Sequence, residues 1–353
     1  MNTKVSCFLG GYMTVHNATQ LLTYIKTTET CNLNCSHCFT NGINGRKIYF
    51  NPVDTAAFVN RINDKMPGCQ IALEFHGGEP MLAPVEDMLL FHKLTYEVWG
   101  DRAYYGMTTN LTYKLTQEKL DLIYGILHKR LGTSYDPFIR WSNPKQQKLW
   151  EDNVKQLTSD GVDIKCFVSL SKDMIQVNPG DVIEYLISLG IQEVDFERLT
   201  SDGNAVRNPK IFPTNIEIQD WYMLLHKETE IRGLRDRIYN ATLESVYMKF
   251  EEGITRASTF CRDCEQKLFT INADGRIAGC PNSAPTAHYA HINDSIESIL
   301  YHPGRMCNIA AEMNRNPKCY ECPVQFFCGG DCYKLAWEGD VCPAPKKLMM
   351  ELA

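Results

Sequence analysis

Short apolar or β-branched runs alternate with longer segments of helical periodicity through the first two thirds of the chain. Two of the longer segments, Asn51–Lys65 and Thr116–His128, have the pattern of amphipathic helices, and the first opens with a capping Asn followed by Pro52. Strands joined in series by helices form a parallel sheet. We therefore predict an α/β fold, a partial (β/α)6 barrel of the TIM type. The six predicted strands are Leu22–Thr28, Ile71–Phe75, Ala103–Thr109, Leu131–Ser134, Ile164–Leu170 and Glu193–Leu199.

The pattern changes in the last third of the chain. One more predicted helix, Ile238–Glu252, gives way to short irregular segments rich in Cys, Gly and Pro. Nine of the fifteen cysteines lie between Cys261 and Cys342. Such a segment buries little apolar surface, so we expect bound metal to organise it. The sequence thus predicts a barrel domain over 1–234 and a cysteine-rich domain organised by bound metal over 235–353.

Composition excludes several partners and compartments. The net charge is -6 and there is no basic run, which argues against nucleic acid and against an anionic membrane as partners. The first twenty residues are too polar for a secretory signal or a membrane span, so we expect a cytoplasmic protein. In that reducing compartment, fifteen cysteines, an odd number, indicate free thiols or metal ligands in preference to disulfides.

Three cysteines follow the first predicted strand at the spacing Cys31-x3-Cys35-x2-Cys38. Three thiolates on one tight loop can hold three corners of a four-iron cluster and leave the fourth iron open to a ligand. A structural zinc site usually has four ligands and a redox dithiol has two, so neither accounts for this spacing.

A second motif, Gly77-Gly78-Glu79-Pro80, ends the second predicted strand. Small residues let a backbone approach a bound molecule, and a carboxylate accepts a hydrogen bond from an ammonium group. Alone, the four residues form an ordinary turn. Their place one strand after the cysteine loop favours a binding role.

Together these two motifs resemble the signature of the radical S-adenosylmethionine (SAM) superfamily. The resemblance implies that the open iron binds the methionine part of SAM, that the motif from Gly77 to Pro80 pairs with its amino group, and that reductive cleavage gives a 5'-deoxyadenosyl radical. The family usually has an aromatic residue just before the third cysteine; here His37 stands there, with Phe39 just after Cys38. We expect this departure to affect the packing of the adenine only.

The cysteines of the last third resemble the SPASM extension carried by many members of this family. The resemblance implies two auxiliary 4Fe-4S clusters, hence three in all. The nearer cluster is expected to bind Cys261, Cys264, Cys280 and Cys332, and the outer one Cys319, Cys322, Cys328 and Cys342. Sequence alone also permits a grouping of neighbouring cysteines, or zinc bound at paired cysteines.

Polar residues near the ends of the later strands are further candidates. The stretch that contains Ser134 and Arg140 resembles the place where related enzymes contact the ribose and the carboxylate of SAM, although an ordinary turn remains open. Other residues near strand ends face the active site in barrels, yet they can also cap a helix or fill the core. The weaker cofactor candidates are Asn110, Ser169 and Leu199, the candidate proton acceptors are Asp136, Asp195 and Glu197, and His76 and Cys166 are singled out as residues that can face inward.

The resemblance favours a peptide or protein substrate, since the SPASM extension is most often seen on peptide maturases and on anaerobic sulfatase-maturating enzymes. It implies oxidation, cross-linking or thioether formation at a side chain, a flavodoxin- or ferredoxin-type reductant, and a monomer. Only thirty residues precede Cys31, so we expect a separate leader-binding protein or direct binding of the substrate in the barrel. The alternatives are a small-molecule radical SAM dehydrogenase and an iron-sulfur or zinc binding module without catalysis.

Overall fold

The computed structural model describes residues 20–251, 253, 263–283 and 286–353. Six parallel strands form the barrel wall in two sheets, and a parallel bridge from Thr108 to Gly132 joins the sheets into one arc. The predicted α/β partial barrel, with its cysteine-rich C-terminal region, is confirmed. The six strands are β1 (Gln20–Thr28), β2 (Gln70–Gly77), β3 (Ala103–Met107), β4 (Arg130–Ser134), β5 (Asp163–Leu170) and β6 (Glu193–Arg198).

Six helices cover the outer face of these strands. Three of them begin with an Asn-Pro pair: the side chains of Asn51, Asn143 and Asn178 each accept hydrogen bonds from backbone N–H groups of the first turn. Proline at the first helical position loses no hydrogen bond there, so the pair fixes each start. The helices are α1 (Pro52–Lys65), α2 (Val85–Trp99), α3 (Gln117–Tyr124), α4 (Pro144–Ser159), α5 (Pro179–Ser188) and α6 (Asn215–Arg232).

One predicted helix end is wrong. The pattern predicted a helix over Thr116–His128, but α3 ends at Tyr124. Gly125 caps the helix with a φ of -83° and a ψ of -88°, outside the α region, and its N–H donates to Asp121 O. His128 and Lys129, with φ values of 49° and 58° in the left-handed region, then turn the chain. The chain therefore turns directly into β4 instead of extending the helix.

The strands bury one face against the helices and turn the other into the barrel. In β5, Ile164, Cys166, Val168 and Leu170 are fully buried on the helix side, and the alternate residues face inward. Cys166 therefore faces the helices, and the expectation that it can face inward is wrong. The apolar core lies between the sheet and the helices, and its largest fully buried residues include Phe58, Phe75, Phe91, Trp99 and Trp150.

The C-terminal third extends the barrel sheets. Strand β7 (Tyr239–Asn240) pairs with β6, so the helix predicted over Ile238–Glu252 begins later, at Ala241. Strand β8 (Leu268–Ile271) pairs in parallel with β1, and β9 and β10 continue that sheet as antiparallel strands. The remaining elements are α7 (Ala241–Glu251), α8 (Cys264–Lys267), β9 (Arg276–Ala278), β10 (Ala290–His291), α9 (Ile296–Leu300), α10 (Pro303–Met313), α11 (Gln325–Cys328) and α12 (Lys346–Leu352).

Within the described ranges, none of the helices combines the length and the apolar character that crossing a bilayer requires.

The pairing of β8 with β1 makes the two predicted domains dependent on one another. A fragment that ends at residue 234 loses β8, and the backbone groups of β1 from Leu22 to Ile25 become an unpaired edge. We expect this fragment to aggregate, whereas the full chain stays monodisperse, in size-exclusion chromatography with circular dichroism. A soluble, cooperatively unfolding fragment would show instead that the barrel domain folds alone.

Candidate functional site

One large cavity opens at the carboxyl ends of the barrel strands. It holds about 350 Å³ and opens to solvent. The three cysteines of the loop after β1 line it. The loop is held from two sides, because Ser36 N donates to Ile139 O at 2.8 Å and Asn204 N donates to Cys38 O at 2.7 Å. These bonds fix Cys31, Cys35 and Cys38 at the cavity wall.

Two of the three thiols on this loop accept hydrogen bonds. Leu33 N lies 3.4 Å from Cys31 Sγ, Thr40 N lies 3.4 Å from Cys38 Sγ, and Asn110 Nδ2 lies 3.5 Å from Cys31 Sγ. Such donors stabilise sulfur when it carries negative charge. Burial raises the pKa of Cys31 and of Cys35 to about 12, so without a metal both are protonated and metal binding must release protons.

The two glycines after β2 are required by the packing of the loop itself. A Cβ atom on Gly77 would lie 2.3 Å from Thr28 O, and one on Gly78 would lie 2.0 Å from Thr30 O. Gly77 also has a φ of 129°, which L-residues rarely adopt. The glycines therefore allow the second motif to lie directly against the chain that leads into the cysteine loop.

Glu79 is fully buried, and both of its carboxylate oxygens accept hydrogen bonds from the protein. Oε1 accepts from Met81 N at 2.9 Å and Thr109 Oγ1 at 2.7 Å, and Oε2 accepts from Asn110 N at 2.7 Å. Glu79 thus connects the motif after β2 to the loop after β3. A carboxylate has about four acceptor positions, so a further donor from a ligand can still bind.

Arg140 lines the cavity and is fixed by a buried carboxylate. Its Nε and Nη2 atoms lie 2.8 Å and 2.6 Å from Asp136 Oδ2, and Asp136 Oδ1 accepts from Ser169 N at 2.7 Å. Although burial opposes ionisation, Arg140 and the neighbouring groups lower the pKa of Asp136. Asp136 therefore remains ionised and orients Arg140, and it does not line the cavity.

An aromatic wall lies beside the cysteine loop. The rings of Phe39 and His76 stack at 6.4 Å, and Tyr24 meets His76 edge-on at 5.5 Å. Burial lowers the pKa of both His37 and His76 to about 4, so both imidazoles are neutral at pH 7. Among the described residues, neither Nδ1 atom has a hydrogen-bond partner, and both rings line the cavity.

The two acidic candidates on β6 have different surroundings. Asp195 lies 3.0 Å from Lys165 and accepts from Thr242 Oγ1 at 2.8 Å, and it does not line the cavity. Glu197 lines the cavity. Although its side chain is exposed to the cavity, the surrounding barrel wall and the charge of Asp195 raise the pKa of Glu197 to about 7. Glu197 can therefore exchange a proton near neutral pH.

Three cysteines of the C-terminal region line the same cavity: Cys264, Cys280 and Cys332. Glu312 accepts from Cys264 N at 2.9 Å. Glu265 accepts from Cys280 N at 3.1 Å and from Tyr333 Oη at 2.7 Å. The buried acids thus hold together chain segments that are distant in sequence. Cys261, which was expected to join this group, lies outside the described residues.

Four more cysteines of the C-terminal region line a separate pocket of about 90 Å³. Helix α6 reaches it through Gln219, whose Nε2 donates to Cys342 O at 2.9 Å. Helix α7 reaches it through the buried Lys249, whose Nζ donates to Phe327 O at 2.9 Å. The four cysteines are Cys319, Cys322, Cys328 and Cys342.

The two groups of cysteines follow the interleaved order in space. Cys332 lies with Cys264 and Cys280, although Cys328 and Cys319 are closer in sequence. In the described ranges, no three His, Cys, Asp or Glu side chains are arranged as ligands of a single metal ion. The cysteines instead lie around the walls of two cavities. An iron-sulfur cluster contains several iron and sulfide atoms, so its ligands are spread around such a space, whereas the ligands of a single ion surround one point.

The other predicted cofactor residues also lie at this cavity. Its wall includes His37, Gly77, Gly78, Glu79, Asn110, Ser134, Ser169 and Leu199. The exception is Pro80, the last residue of the motif, which starts a single turn of 3-10 helix and does not line the cavity. Tyr24 and Phe167 line the wall too, and the prediction did not include them. Their inward positions on β1 and β5, alternate to buried apolar residues, were the available signal. Arg198, between the candidates Glu197 and Leu199, also lines the wall, although it has the phase of the buried Val194 and Phe196.

Solved structures with this architecture cover nearly the whole chain. Native anSMEcpe with bound AdoMet and Cp18Cys peptide is 16% identical and superimposes with a TM-score of 0.75, covering 94% of this chain and 95% of that one. The chain has the same fold. Streptococcus suis SuiB bound to S-adenosylmethionine is 15% identical, with a TM-score of 0.64 over 90% of this chain and 75% of that one. SuiB bound to precursor peptide SuiA gives a TM-score of 0.63 at 14% identity, over 90% and 73%. The fold expected from the family resemblance is therefore confirmed.

No protein-family model matches the sequence, and a search of curated proteins gives no match.

Gly78→Ala tests the close approach of the two loops. We expect it to destabilise the metal-free protein by about 3 kcal/mol, because its Cβ meets a backbone carbonyl that cannot move freely. Gly233→Ala is the matched control, since Gly233 has a φ of 57° and no neighbour within 4 Å of an added Cβ. It should cost about 1 kcal/mol of backbone strain. Equal losses in urea unfolding would contradict the close-packing account.

Proposed function

We propose that the protein is a radical SAM enzyme that abstracts a hydrogen atom from a peptide or protein side chain. The observation that carries this proposal is the single cavity lined both by Cys31, Cys35 and Cys38 and by Cys264, Cys280 and Cys332. A catalytic cluster and an auxiliary cluster at one cavity would allow a hydrogen atom to be removed from the substrate there and the second electron to pass to the auxiliary cluster.

The three cysteines of the first loop would hold a 4Fe-4S cluster with one open iron, and SAM would bind beside it. When bound, the cluster and SAM supply an electron and a carbon-centred radical. The protein positions the cofactor and excludes water. Arg140, held by Asp136, suits the carboxylate of SAM because a guanidinium binds carboxylates in a fixed geometry. The other proposed contacts are His37, Gly77, Gly78, Glu79, Pro80, Asn110, Ser134, Ser169 and Leu199.

Two auxiliary clusters would occupy the C-terminal sites. We propose Cys261, Cys264, Cys280 and Cys332 for the nearer one, and Cys319, Cys322, Cys328 and Cys342 for the outer one. The grouping of cysteines around two cavities supports this assignment. Thiolate sulfur suits iron-sulfur clusters. Backbone N–H groups of Asn282, Gly330 and Ala344 also donate to Cys280, Cys328 and Cys342, which suits a negatively charged cluster.

The shape of the site and the solved relatives support a peptide substrate. The cavity holds about 350 Å³, within the range of small-molecule sites, so its volume alone does not select a peptide. A neighbouring groove of about 320 Å³ shares Arg198 and Leu199 with it and would give an extended chain room beside SAM. Both structural relatives are described in complexes with peptides, Cp18Cys and SuiA. A leader-binding protein could present the peptide, and a flavodoxin- or ferredoxin-type protein could supply electrons.

Glu197 is the proposed proton acceptor. Loss of a hydrogen atom and then of an electron from the substrate leaves one proton to remove, and Glu197 faces the cavity with a pKa raised to about 7. Asp136 and Asp195 are already paired with Arg140 and Lys165. Lys165 and Arg198 act against the raised pKa of Glu197, while Asp195 and Asp136 support it.

The proposal is tested by anoxic reconstitution followed by iron and sulfide counting and by incubation with SAM and dithionite. We expect about twelve iron atoms per chain, four for each cluster, and release of 5'-deoxyadenosine. Bound zinc, or SAM left intact under reduction, would contradict the proposal and favour a binding module. The reduced enzyme is then incubated with candidate peptides and, separately, with amino sugars and alcohols, and the products are analysed by mass spectrometry. Modified peptides indicate a peptide-modifying enzyme, and oxidised sugars or alcohols indicate a small-molecule dehydrogenase.

Cys35→Ala should remove about four iron atoms, because one cluster loses a ligand, and should abolish release of 5'-deoxyadenosine. Cys69→Ala is the control, since Cys69 is equally buried but does not line this cavity. Iron content and chromatographic detection of 5'-deoxyadenosine measure both effects. If Cys35→Ala releases as much 5'-deoxyadenosine as the wild type, the assignment of Cys31, Cys35 and Cys38 to the catalytic cluster is wrong.

Glu197→Gln should lower the ratio of modified product to 5'-deoxyadenosine by about 10²–10⁴, the usual contribution of a general base. In the wild type this ratio should rise with pH through about 7, because only ionised Glu197 accepts a proton. The variant should lose that rise. Glu193→Gln, on the same strand and paired with Lys165 at 3.0 Å, should keep it. A pH profile unchanged by Glu197→Gln would exclude this role.

A further inference from the structure

The segment between the two auxiliary sites has an unusual backbone. Asp331 lies between Cys328, at the outer pocket, and Cys332, at the large cavity. Its φ is 56°, and Gly329 and Gly330 before it have φ values of 62° and 98°. Three successive residues in the left-handed region form a sharp turn, which a non-glycine residue adopts only where other contacts fix it. Asp331 is fully buried.

Arg198 supplies these contacts from the end of β6. Its Nη2 lies 2.9 Å from Asp331 Oδ1, and its Nη1 contacts Oδ2 of the same carboxylate. The Nη1 atom also donates to Pro343 O at 2.8 Å, next to Cys342 of the outer pocket. Asp331 Oδ1 in turn accepts from Cys332 N at 2.7 Å. One guanidinium group therefore connects a barrel strand to segments that carry cysteines of both auxiliary sites.

We propose that Arg198 and Asp331 form a positioning pair that sets the reduction potentials of the auxiliary clusters. The inference rests on the proposed function, because it takes Cys328, Cys332 and Cys342 as cluster ligands. Neither residue coordinates iron in this account. Both act through the turn that they hold and through their charges.

The two charges have opposite effects on a nearby cluster. Reduction adds one negative charge, so a close guanidinium stabilises the reduced form and a close carboxylate destabilises it. The side chains of Arg198 and Asp331 are 10% and 1% exposed, so water screens them weakly. The thiol of Cys332 lies within electrostatic reach of Arg198. Lys249, Glu265 and Glu312 also lie near the auxiliary cysteines, but they are unchanged in the variants compared below.

The experiment is a potentiometric titration of the reconstituted holoenzyme, followed by electron paramagnetic resonance. Signals that do not change on addition of SAM report the auxiliary clusters. Arg198→Gln should lower the potential of at least one auxiliary cluster, and Asp331→Asn should raise it. We expect each change to alter the reduction equilibrium about tenfold, equal to about 59 mV for one electron. Arg198→Lys, which keeps the charge, and the double variant should stay near the wild-type value.

The opposite signs separate this account from a purely structural role. If the pair only holds the turn in place, Arg198→Gln and Asp331→Asn should shift the cluster potentials in the same direction or only lower the iron content. Arg237→Gln is the matched control, since Arg237 pairs with Glu184 on the surface and should leave the potentials unchanged. If Arg198→Gln fails to retain iron, Asp331→Asn decides alone: a higher potential supports the proposal, and an unchanged or lower one overturns it.

Failure of the proposed function would appear earlier and differently. A wild-type protein that holds only about four iron atoms, or zinc, has no auxiliary clusters to titrate. A wild-type protein with about twelve iron atoms whose variants show no opposed shifts contradicts only the role of Arg198 and Asp331.

Discussion

The site depends on one geometric constraint: parallel strands end at the same edge of a sheet. The loops after β1 and β2 therefore meet, and Gly77 and Gly78 allow them to lie in backbone contact with Thr28 and Thr30. Glu79 connects this pair to the loop after β3, and Asp136 connects the segment after β4 to the backbone at Ser169 of β5. Two of the contacts between neighbouring loops are therefore made by a buried carboxylate.

The C-terminal third packs against the same edge of the barrel sheet. Strand β8 joins the free side of β1, which brings Cys264 and Cys280 over the cavity. Arg198 at the end of β6 binds the opposite end of this region through Asp331 and the backbone at Pro343. The cysteine-rich region is therefore attached to the barrel on both sides of its opening. Its short helices and strands gain from the barrel the packing that they lack alone.

The sequence predicted the six barrel strands well, because the alternation of apolar and polar residues is the direct trace of a two-sided sheet. It predicted the end of α3 badly, because the apolar periodicity continues past Gly125, the residue that caps the helix. The contribution of β8 to the barrel was also missed. Pairing between strands more than 200 residues apart leaves no periodic signal in either strand.

The candidate site was predictable where spacing alone defines the chemistry, as in Cys31, Cys35 and Cys38. It was not predictable where a side chain acts by binding and orienting another side chain. Asp136 was a candidate base, yet it is an ionised partner of Arg140. The pair of Arg198 and Asp331 joins positions more than 130 residues apart, so no local motif contains both. Cavity-facing Glu197 differs from Asp195 only in its neighbours, which sequence does not give.

The central claim is that the first cysteine loop holds a cluster with one iron open to SAM. Electron paramagnetic resonance of the reduced, anoxic protein before and after addition of SAM tests it most directly. The account predicts that one cluster signal changes when SAM is added and that this signal is missing from Cys35→Ala. A spectrum that SAM leaves unchanged, in protein that retains all its iron, would contradict it.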